Sequence, residues 1–307
     1  MRIFLTGATG VVGRRVLPHL VSAGHEVTAV GRTPEKRERL RALGAAPVAA
    51  DLFDAAALRP AVAGHDAVVN LATSIPPSSR ALLRSAWRDN DRIRTVASAN
   101  LVDAALAAGV GRFVQESFAP IYEDGGDAWL DENSPRRAAR YNRSVLDAEG
   151  AAERFARSGG AGVVLRFALF YGPDSGFTLD TIRYVRRGWA PAFGAPSGFV
   201  SSVSHDDAAS AVVAALGLPA GTYNVTDDEP LRRREYYDSL AAALGVGPPK
   251  FPPAWLARFA GSIGETLSRS QRIANRTLRG ASGWRPAAPS VREGWRSVVA
   301  QLGGATR

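Results

Sequence analysis

Short apolar runs alternate with alanine- and leucine-rich amphipathic stretches through the first half of the chain. This alternation is typical of βαβ units, in which parallel strands are buried on both faces and joined by helices. Six strands are predicted, at Arg2–Thr6, Glu26–Val30, Pro47–Ala50, Ala67–Leu71, Arg112–Gln115 and Gly162–Phe167. The pattern therefore predicts an α/β fold with a Rossmann-type, doubly wound parallel sheet.

The alternation breaks down beyond Gly172, where glycine, proline and aromatic residues become frequent. Regular spacing returns briefly with a helix predicted at 207–216 and an apolar run at Tyr223–Val225. We therefore expect residues 1–172, with 199–226 returning to them, to form the Rossmann domain. Residues 173–198 and 227–307 are expected to form a smaller C-terminal lobe that binds the substrate.

A glycine pattern follows the first predicted strand directly and leads into a predicted helix, with the spacing Gly-x-x-Gly-x-x-Gly. Glycine allows a tight turn and close approach of the backbone to a pyrophosphate, while the helix N-terminus supplies free N–H groups. The context therefore predicts a dinucleotide site. Its expected residues are Gly7, Thr9, Gly10, Val11, Val12 and Gly13.

The end of the second predicted strand bears on the choice of dinucleotide. NAD-preferring proteins place a carboxylate there to hold the ribose hydroxyls, whereas this chain has Val30, Gly31 and Arg32. A guanidinium binds phosphate with two parallel hydrogen bonds, so Arg32 favours the 2′-phosphate of NADP(H) over NAD(H). The alternative is that Arg32 is an ordinary solvated loop residue.

Composition excludes several other chemistries. The 307 residues include no cysteine, which excludes disulfides, thiolate nucleophiles and Cys-ligated metal sites. The four histidines lack zinc-ligand spacing, so no metal is expected. The net charge is +9, but the arginines are scattered and no nucleic-acid-binding motif accompanies them. We therefore expect no nucleic-acid partner.

The chain shows neither a signal peptide nor an apolar run of about 18 residues, so we expect a cytoplasmic protein with no membrane partner. It is expected to act on a small-molecule substrate as a monomer or homodimer.

Asp51-Leu52 follows the third predicted strand, and Asn70-Leu71-Ala72-Thr73 ends the fourth. Together with the glycine pattern, these two motifs resemble the extended branch of the short-chain dehydrogenase/reductase superfamily, the NAD(P)-dependent epimerase/dehydratase-like proteins. The resemblance implies that Asp51 hydrogen-bonds the adenine amino group and that Leu52 packs against the adenine ring. It also implies that three residues line the path toward the nicotinamide, namely Leu71, Ala72 and Thr73.

The resemblance also implies a catalytic tyrosine, a lysine four residues later and a nearby hydroxyl. Tyr141 matches the tyrosine, but Val145 stands where the lysine belongs, and Lys36 and Lys250 are the chain's two lysines. The matching hydroxyl position holds phenylalanine, and Ser117 lies one residue earlier. An unassisted tyrosine has a pKa near ~10, so it can donate a proton but is a poor base at neutral pH.

Three functions fit this atypical site. The first is an NADP(H)-dependent enzyme, a reductase or an epimerase/dehydratase-like protein, in which Tyr141 or Ser117 assists the reacting oxygen. The second is a non-redox enzyme that uses the same pocket for dehydration, isomerisation or cyclisation. The third is a non-enzymatic NADP sensor.

Overall fold

In the computed structural model, which describes residues 1–304, thirteen strands are defined. They are β1 (Arg2–Thr6), β2 (Glu26–Val30), β3 (Ala46–Val48), β4 (Ala67–Asn70), β5 (Arg112–Phe118), β6 (Trp129–Leu130), β7 (Ala161–Phe167), β8 (Leu169–Tyr171), β9 (Phe199–Val200), β10 (Ser202–Ser204), β11 (Gly221–Val225), β12 (Leu231–Arg232) and β13 (Arg272–Ile273).

Seven of these strands form one parallel sheet in the order β11-β7-β5-β4-β1-β2-β3. The chain runs outward from β1 through β2 to β3 and then crosses to β4, on the other side of β1. Ligands of such sheets bind at the carboxyl end of the strands, where the strand order reverses. The fold class predicted from the sequence is confirmed, and this switch point lies between β1 and β4.

Over the same described residues there are twelve α-helices. They are α1 (Gly13–Ser22), α2 (Pro34–Ala42), α3 (Ala55–Val62), α4 (Arg88–Arg92), α5 (Ser98–Ala107), α6 (Val145–Arg157), α7 (Gly176–Arg186), α8 (His205–Ala214), α9 (Arg233–Leu244), α10 (Gly261–Ser268), α11 (Arg276–Ser282) and α12 (Val291–Gly304). A single π-helical turn, Ile93–Ala97, joins α4 to α5.

Helices cover both faces of the sheet. One core is built by α1 and α8 with apolar side chains of the sheet, and the other by α3, α5 and α6. Leu278 and Trp284, which the sequence analysis assigns to the smaller lobe, pack in the first of these cores. A third core joins α7, α9 and α12 around Tyr171, Tyr236 and Trp295. No helix in residues 1–304 is long and apolar enough to cross a membrane.

Candidate active site

The turn between β1 and α1 has no room for side chains at two of its three glycines. Gly7 has a φ of +70°, and a Cβ there would lie 2.2 Å from the carbonyl oxygen of Leu71, at the end of β4. A Cβ on Gly13 would lie 2.2 Å from the carbonyl oxygen of Gly7, whereas one on Gly10 would come no closer than 3.2 Å to that oxygen. Glycine is thus required at Gly7 and Gly13, and the turn leads into the N-terminus of α1.

The other residues expected at the dinucleotide site follow neighbouring strands at the same edge of the sheet. Arg32 follows β2 and is exposed, and Asp51 follows β3 with its carboxylate accepting the Phe53 N–H at 2.9 Å. Leu71 is buried directly after β4, while Thr73 is exposed. Because β4, β1, β2 and β3 are adjacent, the sheet brings all these positions to one edge. Half-buried Leu52 and Ala72 lie beside them.

The first turn of α1 is bound to the loop after β8 by ion pairs. Arg14 and Arg15 both pair with Asp174, Arg15 at 2.8 Å, and Asp174 also lies 3.0 Å from Nδ1 of buried His205. Burial lowers the pKa of His205 despite this carboxylate, so its imidazole is held neutral. These contacts fix the start of α1 relative to the loop after β8, and the sequence analysis did not find them.

Tyr141 is buried between the segment that contains Trp87 and helix α10. Its ring meets the edge of Trp87 at a centroid distance of 4.9 Å, and Thr266 of α10 is close enough to its hydroxyl to lower its pKa. Ala81, shortly before Trp87 in the chain, and Ile263 of α10 both pack against the apolar cluster that contains Tyr141 and Trp87. Burial raises the pKa of Tyr141 to about 12, so the hydroxyl keeps its proton at neutral pH.

The position four residues after Tyr141 holds a valine. Val145 begins α6 and is fully buried. The two lysines lie elsewhere in the fold, Lys36 on α2 and Lys250 in the loop before α10. Any cation that acts on Tyr141 must therefore be an arginine.

Ser117 lies on β5 inside a buried ion-pair network. Its hydroxyl donates to Glu149 at 2.6 Å, and Glu149 accepts two hydrogen bonds from Arg166 of β7, at 2.7 and 2.8 Å. Arg136 adds a third partner at 2.8 Å. The Ser117 hydroxyl thus already donates its hydrogen bond to a carboxylate. Its role as a substrate-binding hydroxyl stays a prediction.

A second buried ion pair lies at the carboxyl end of β5. Arg94, on the π-helical turn, donates from Nη2 to both carboxylate oxygens of Glu116, at 3.0 and 3.4 Å. Its Nε–H is buried without a hydrogen-bond partner. Among 36 arginines nothing in the sequence distinguishes Arg94, because its burial depends on tertiary packing.

The residues fit a dinucleotide better than a metal. The turn at residues 7–13 excludes side chains beside a helix N-terminus, which is the geometry that accepts a pyrophosphate. Within residues 1–304, no group of three or more histidine, aspartate or glutamate side chains is arranged to hold a metal ion.

Comparison with known proteins agrees with this geometry. Residues 7–219 match the NAD(P)H-binding family. A 3-diazoavenalumate denitrifying reductase from a Streptomyces species is 35% identical over 96% of this chain and 99% of its own length. A 4-hydroxy-2-methyl-3-oxo-4-farnesyl-3,4-dihydroquinoline-1-oxide ketoreductase from Stigmatella aurantiaca is 29% identical over 88% of this chain and 81% of its own length.

Solved structures share the fold at lower identity. The UDP-glucose 4-epimerase of Thermotoga maritima, solved with UDP-glucose, superposes with a TM-score of 0.80 at 20% identity, over 100% of both chains. A human epimerase family protein, solved with NADPH, also has a TM-score of 0.80, at 21% identity over 98% of this chain and 100% of its own.

Proposed function

This chain belongs to the NAD(P)H-binding, epimerase/dehydratase-like family of short-chain dehydrogenases/reductases, and on that premise we propose that it is an NADP(H)-dependent reductase of a small organic molecule. The observation that carries the proposal is the turn at residues 7–13, where side chains are excluded beside a helix N-terminus. A nicotinamide dinucleotide bound there supplies hydride. Residues 173–198 and 227–307 would form most of the substrate lobe.

The preference for NADP(H) rests on Arg32. Its exposed side chain follows β2, beside the edge where the adenosine ribose of a dinucleotide lies in such sheets, and the preceding residue is glycine rather than a carboxylate. The exposed guanidinium would bind the 2′-phosphate, and Asp51, after β3, is proposed to hydrogen-bond the adenine amino group.

The cofactor preference is tested by Arg32→Ala. Loss of a charge-assisted contact costs about 1.5–3 kcal/mol, so the Kd of NADPH should rise about 10- to 100-fold in titration calorimetry, while the Kd of NADH stays unchanged. Arg39→Ala, an exposed arginine farther along α2, is the matched control. Equal weakening of both dinucleotides, or none, would refute the preference.

Tyr141 is proposed as the proton donor when the substrate is a ketone. Hydride addition to a carbonyl carbon leaves an alkoxide, which takes the hydroxyl proton of Tyr141, and the tyrosinate is then reprotonated from solvent. A tyrosine whose pKa is raised to about 12 donates in this way but cannot act as the base for oxidation or epimerisation at neutral pH. The buried tyrosine thus favours reduction.

Tyr141→Phe tests this step. Removing a general acid lowers kcat about 10²–10⁴-fold, and KM should change little, as followed by loss of NADPH absorbance with a panel of ketones. Tyr184→Phe, on the exposed face of α7, is the control. Product formation without NADPH consumption would instead favour the non-redox function, and tight NADPH binding without any turnover would favour a sensor.

The relative from Streptomyces favours a second electrophile, a diazo carbon. A neutral diazo compound first takes a proton from solvent and becomes a diazonium ion. When hydride then bonds to the diazonium carbon, the C–N electron pair leaves with N2, and no alkoxide needs a proton. Such a reaction needs neither the tyrosine nor the lysine, which fits the apolar Val145.

The two electrophiles are separated by one variant. Tyr141→Phe should abolish ketone reduction yet leave NADPH-dependent N2 release from diazo compounds within about twofold of wild type, measured by mass spectrometry of the headspace. Loss of both activities in this variant would show that the tyrosine serves a different purpose from proton donation to an alkoxide.

A further inference from the structure

The loop that carries Tyr141 is bound to the helical segment that carries Arg94. The Ser144 hydroxyl donates to the Asp91 carboxylate at 2.7 Å, three residues before Arg94, and α6 packs against the π-helical turn. Both Tyr141 and Arg94 are almost completely buried. The two segments are therefore held together, and each of the two side chains lies where a charge acts more strongly than it does in water.

Arg94 is held in a fixed orientation with a donor to spare. Its Nη2 binds Glu116 at the end of β5, while the Nε–H is buried without a partner. A buried donor left unpaired is costly, and such groups gather where a ligand or a reacting group completes the hydrogen bonds. The π-helical turn, a rare feature that is frequent at functional sites, sets this orientation.

A second cation, Arg269 just after α10, also acts on the charge of Tyr141 and also has a buried Nε–H without a partner, but three acceptors hold its other donors. Arg269 donates to the main-chain oxygens of Tyr122 and Arg137 at 3.0 and 2.8 Å and to Glu265 at 2.8 Å. These bonds hold the end of α10 against the loops that contain Tyr122 and Arg137. Arg94, which is held by the carboxylate of Glu116, is therefore less constrained than Arg269 and better able to respond to charge on Tyr141.

We propose that Arg94 replaces the absent lysine as the positioning residue that stabilises the negative charge left on Tyr141 when its proton is transferred to the substrate, and that Glu116 holds it there. This role rests on the proposed function of Tyr141. The direction of the electrostatic effect agrees with this role. The positive charges of Arg94 and Arg269 both lower the pKa of Tyr141, although burial raises it by more.

Fluorine NMR of the full chain with difluorotyrosine at position 141 tests the proposal without requiring turnover, because this analogue is more acidic than tyrosine. The double variant Arg94→Met, Glu116→Gln removes the cation and leaves no unpaired charge. Its titration midpoint should lie at least about one pH unit higher, a tenfold change. Glu116→Gln alone leaves the cation unopposed, so its midpoint should move lower.

Arg143→Met is the matched control, since this arginine is two residues from Tyr141 but exposed, and it should leave the midpoint unchanged. In ketone reduction, Arg94→Lys should retain kcat within about tenfold, whereas the double variant should lose at least about tenfold with KM preserved. A purely structural role would not move the midpoint in opposite directions in the two Glu116 variants.

The two proposals fail in different ways. An unmoved midpoint in a protein that still consumes NADPH would overturn the role of Arg94 and leave the reductase assignment standing. Opposite midpoint movements in a protein that never consumes NADPH would confirm the charge coupling and overturn the reductase assignment.

Discussion

At the scale of single residues, the glycines of the β1–α1 turn are not equivalent. Gly7 and Gly13 each face backbone atoms that cannot move aside, whereas Gly10 is tight by only a few tenths of an ångström. The sequence pattern predicts all three, because their spacing is visible. It cannot rank them, since the ranking depends on how close β4 and the turn's own carbonyl come.

Gly13→Ala should therefore weaken NADPH binding at least about tenfold, because the turn must open and lose a hydrogen bond to the pyrophosphate, worth about 1.5–3 kcal/mol. Gly10→Ala should have a smaller effect in the same calorimetric titration. Gly150→Ala, in the open middle of α6, is the control and should stabilise the protein by about 0.5–1 kcal/mol. Equal effects at Gly10 and Gly13 would contradict this ranking.

At the scale of elements, β5 shows where the apolar pattern stops being informative. The predicted strand ends at Gln115, yet the observed strand continues to Phe118, paired with β7 throughout. Glu116 and Ser117 are polar and still buried, because Arg94 and Glu149 lie against them. Because these partners are distant in the chain, the residues next to Glu116 and Ser117 do not predict that the two side chains are buried.

The strands of the sheet interior could be predicted well for the complementary reason. Arg2–Thr6 and Glu26–Val30 have the predicted bounds, since continuous apolar runs between turn residues suffice to define them. The sequence pattern misses the two-residue strands β6, β9, β12 and β13, because two residues show no periodicity and their partners are distant in the chain. Arg166, an isolated charge within an apolar run, was the available signal for a buried ion pair.

The pairing of Glu149 with Arg166 makes stability depend on pH. Burial alone would raise the pKa of Glu149, but the hydrogen bonds and charge of Arg166, with Ser117 and Arg136, outweigh burial and lower it. A lowered pKa in the folded state stabilises the protein above the unfolded value of about 4.3, and this stabilisation is lost as pH falls through the folded pKa.

Glu149→Gln should accordingly lower the free energy of unfolding by about 3–5 kcal/mol at neutral pH, because Arg166 is left buried and unpaired. The difference from wild type should narrow below about pH 4 in urea unfolding at a series of pH values. Glu153→Gln, exposed one turn farther along α6, should be nearly neutral. A difference that stays constant down to pH 3 would rule out the linkage.

At the scale of the whole molecule, one carboxylate of α8 helps to bind the segment before α12 to the helices that cover the sheet. Asp207, in the first turn of α8, accepts the Ala287 and Ala288 N–H groups at 2.6 and 3.3 Å and the Ser204 hydroxyl at 2.8 Å. Nearby, the indole N–H of Trp284 donates to Ser210 at 2.8 Å. These contacts place the chain just before α12 against the same core that supports the dinucleotide turn.

Asp207→Ala should therefore lower the free energy of unfolding by about 1–3 kcal/mol, because two partly buried N–H groups lose their acceptor. Hydrogen exchange should quicken at Ala287, Ala288 and α12 before it does in β1 and α1, since that segment is held by Asp207 and the sheet is not. Asp206→Ala removes a neighbouring but mostly exposed carboxylate and should change stability by less than about 1 kcal/mol. Exchange that quickens equally in β1 would mean that the sheet and the C-terminal segment unfold as one unit, with Asp207 stabilising both.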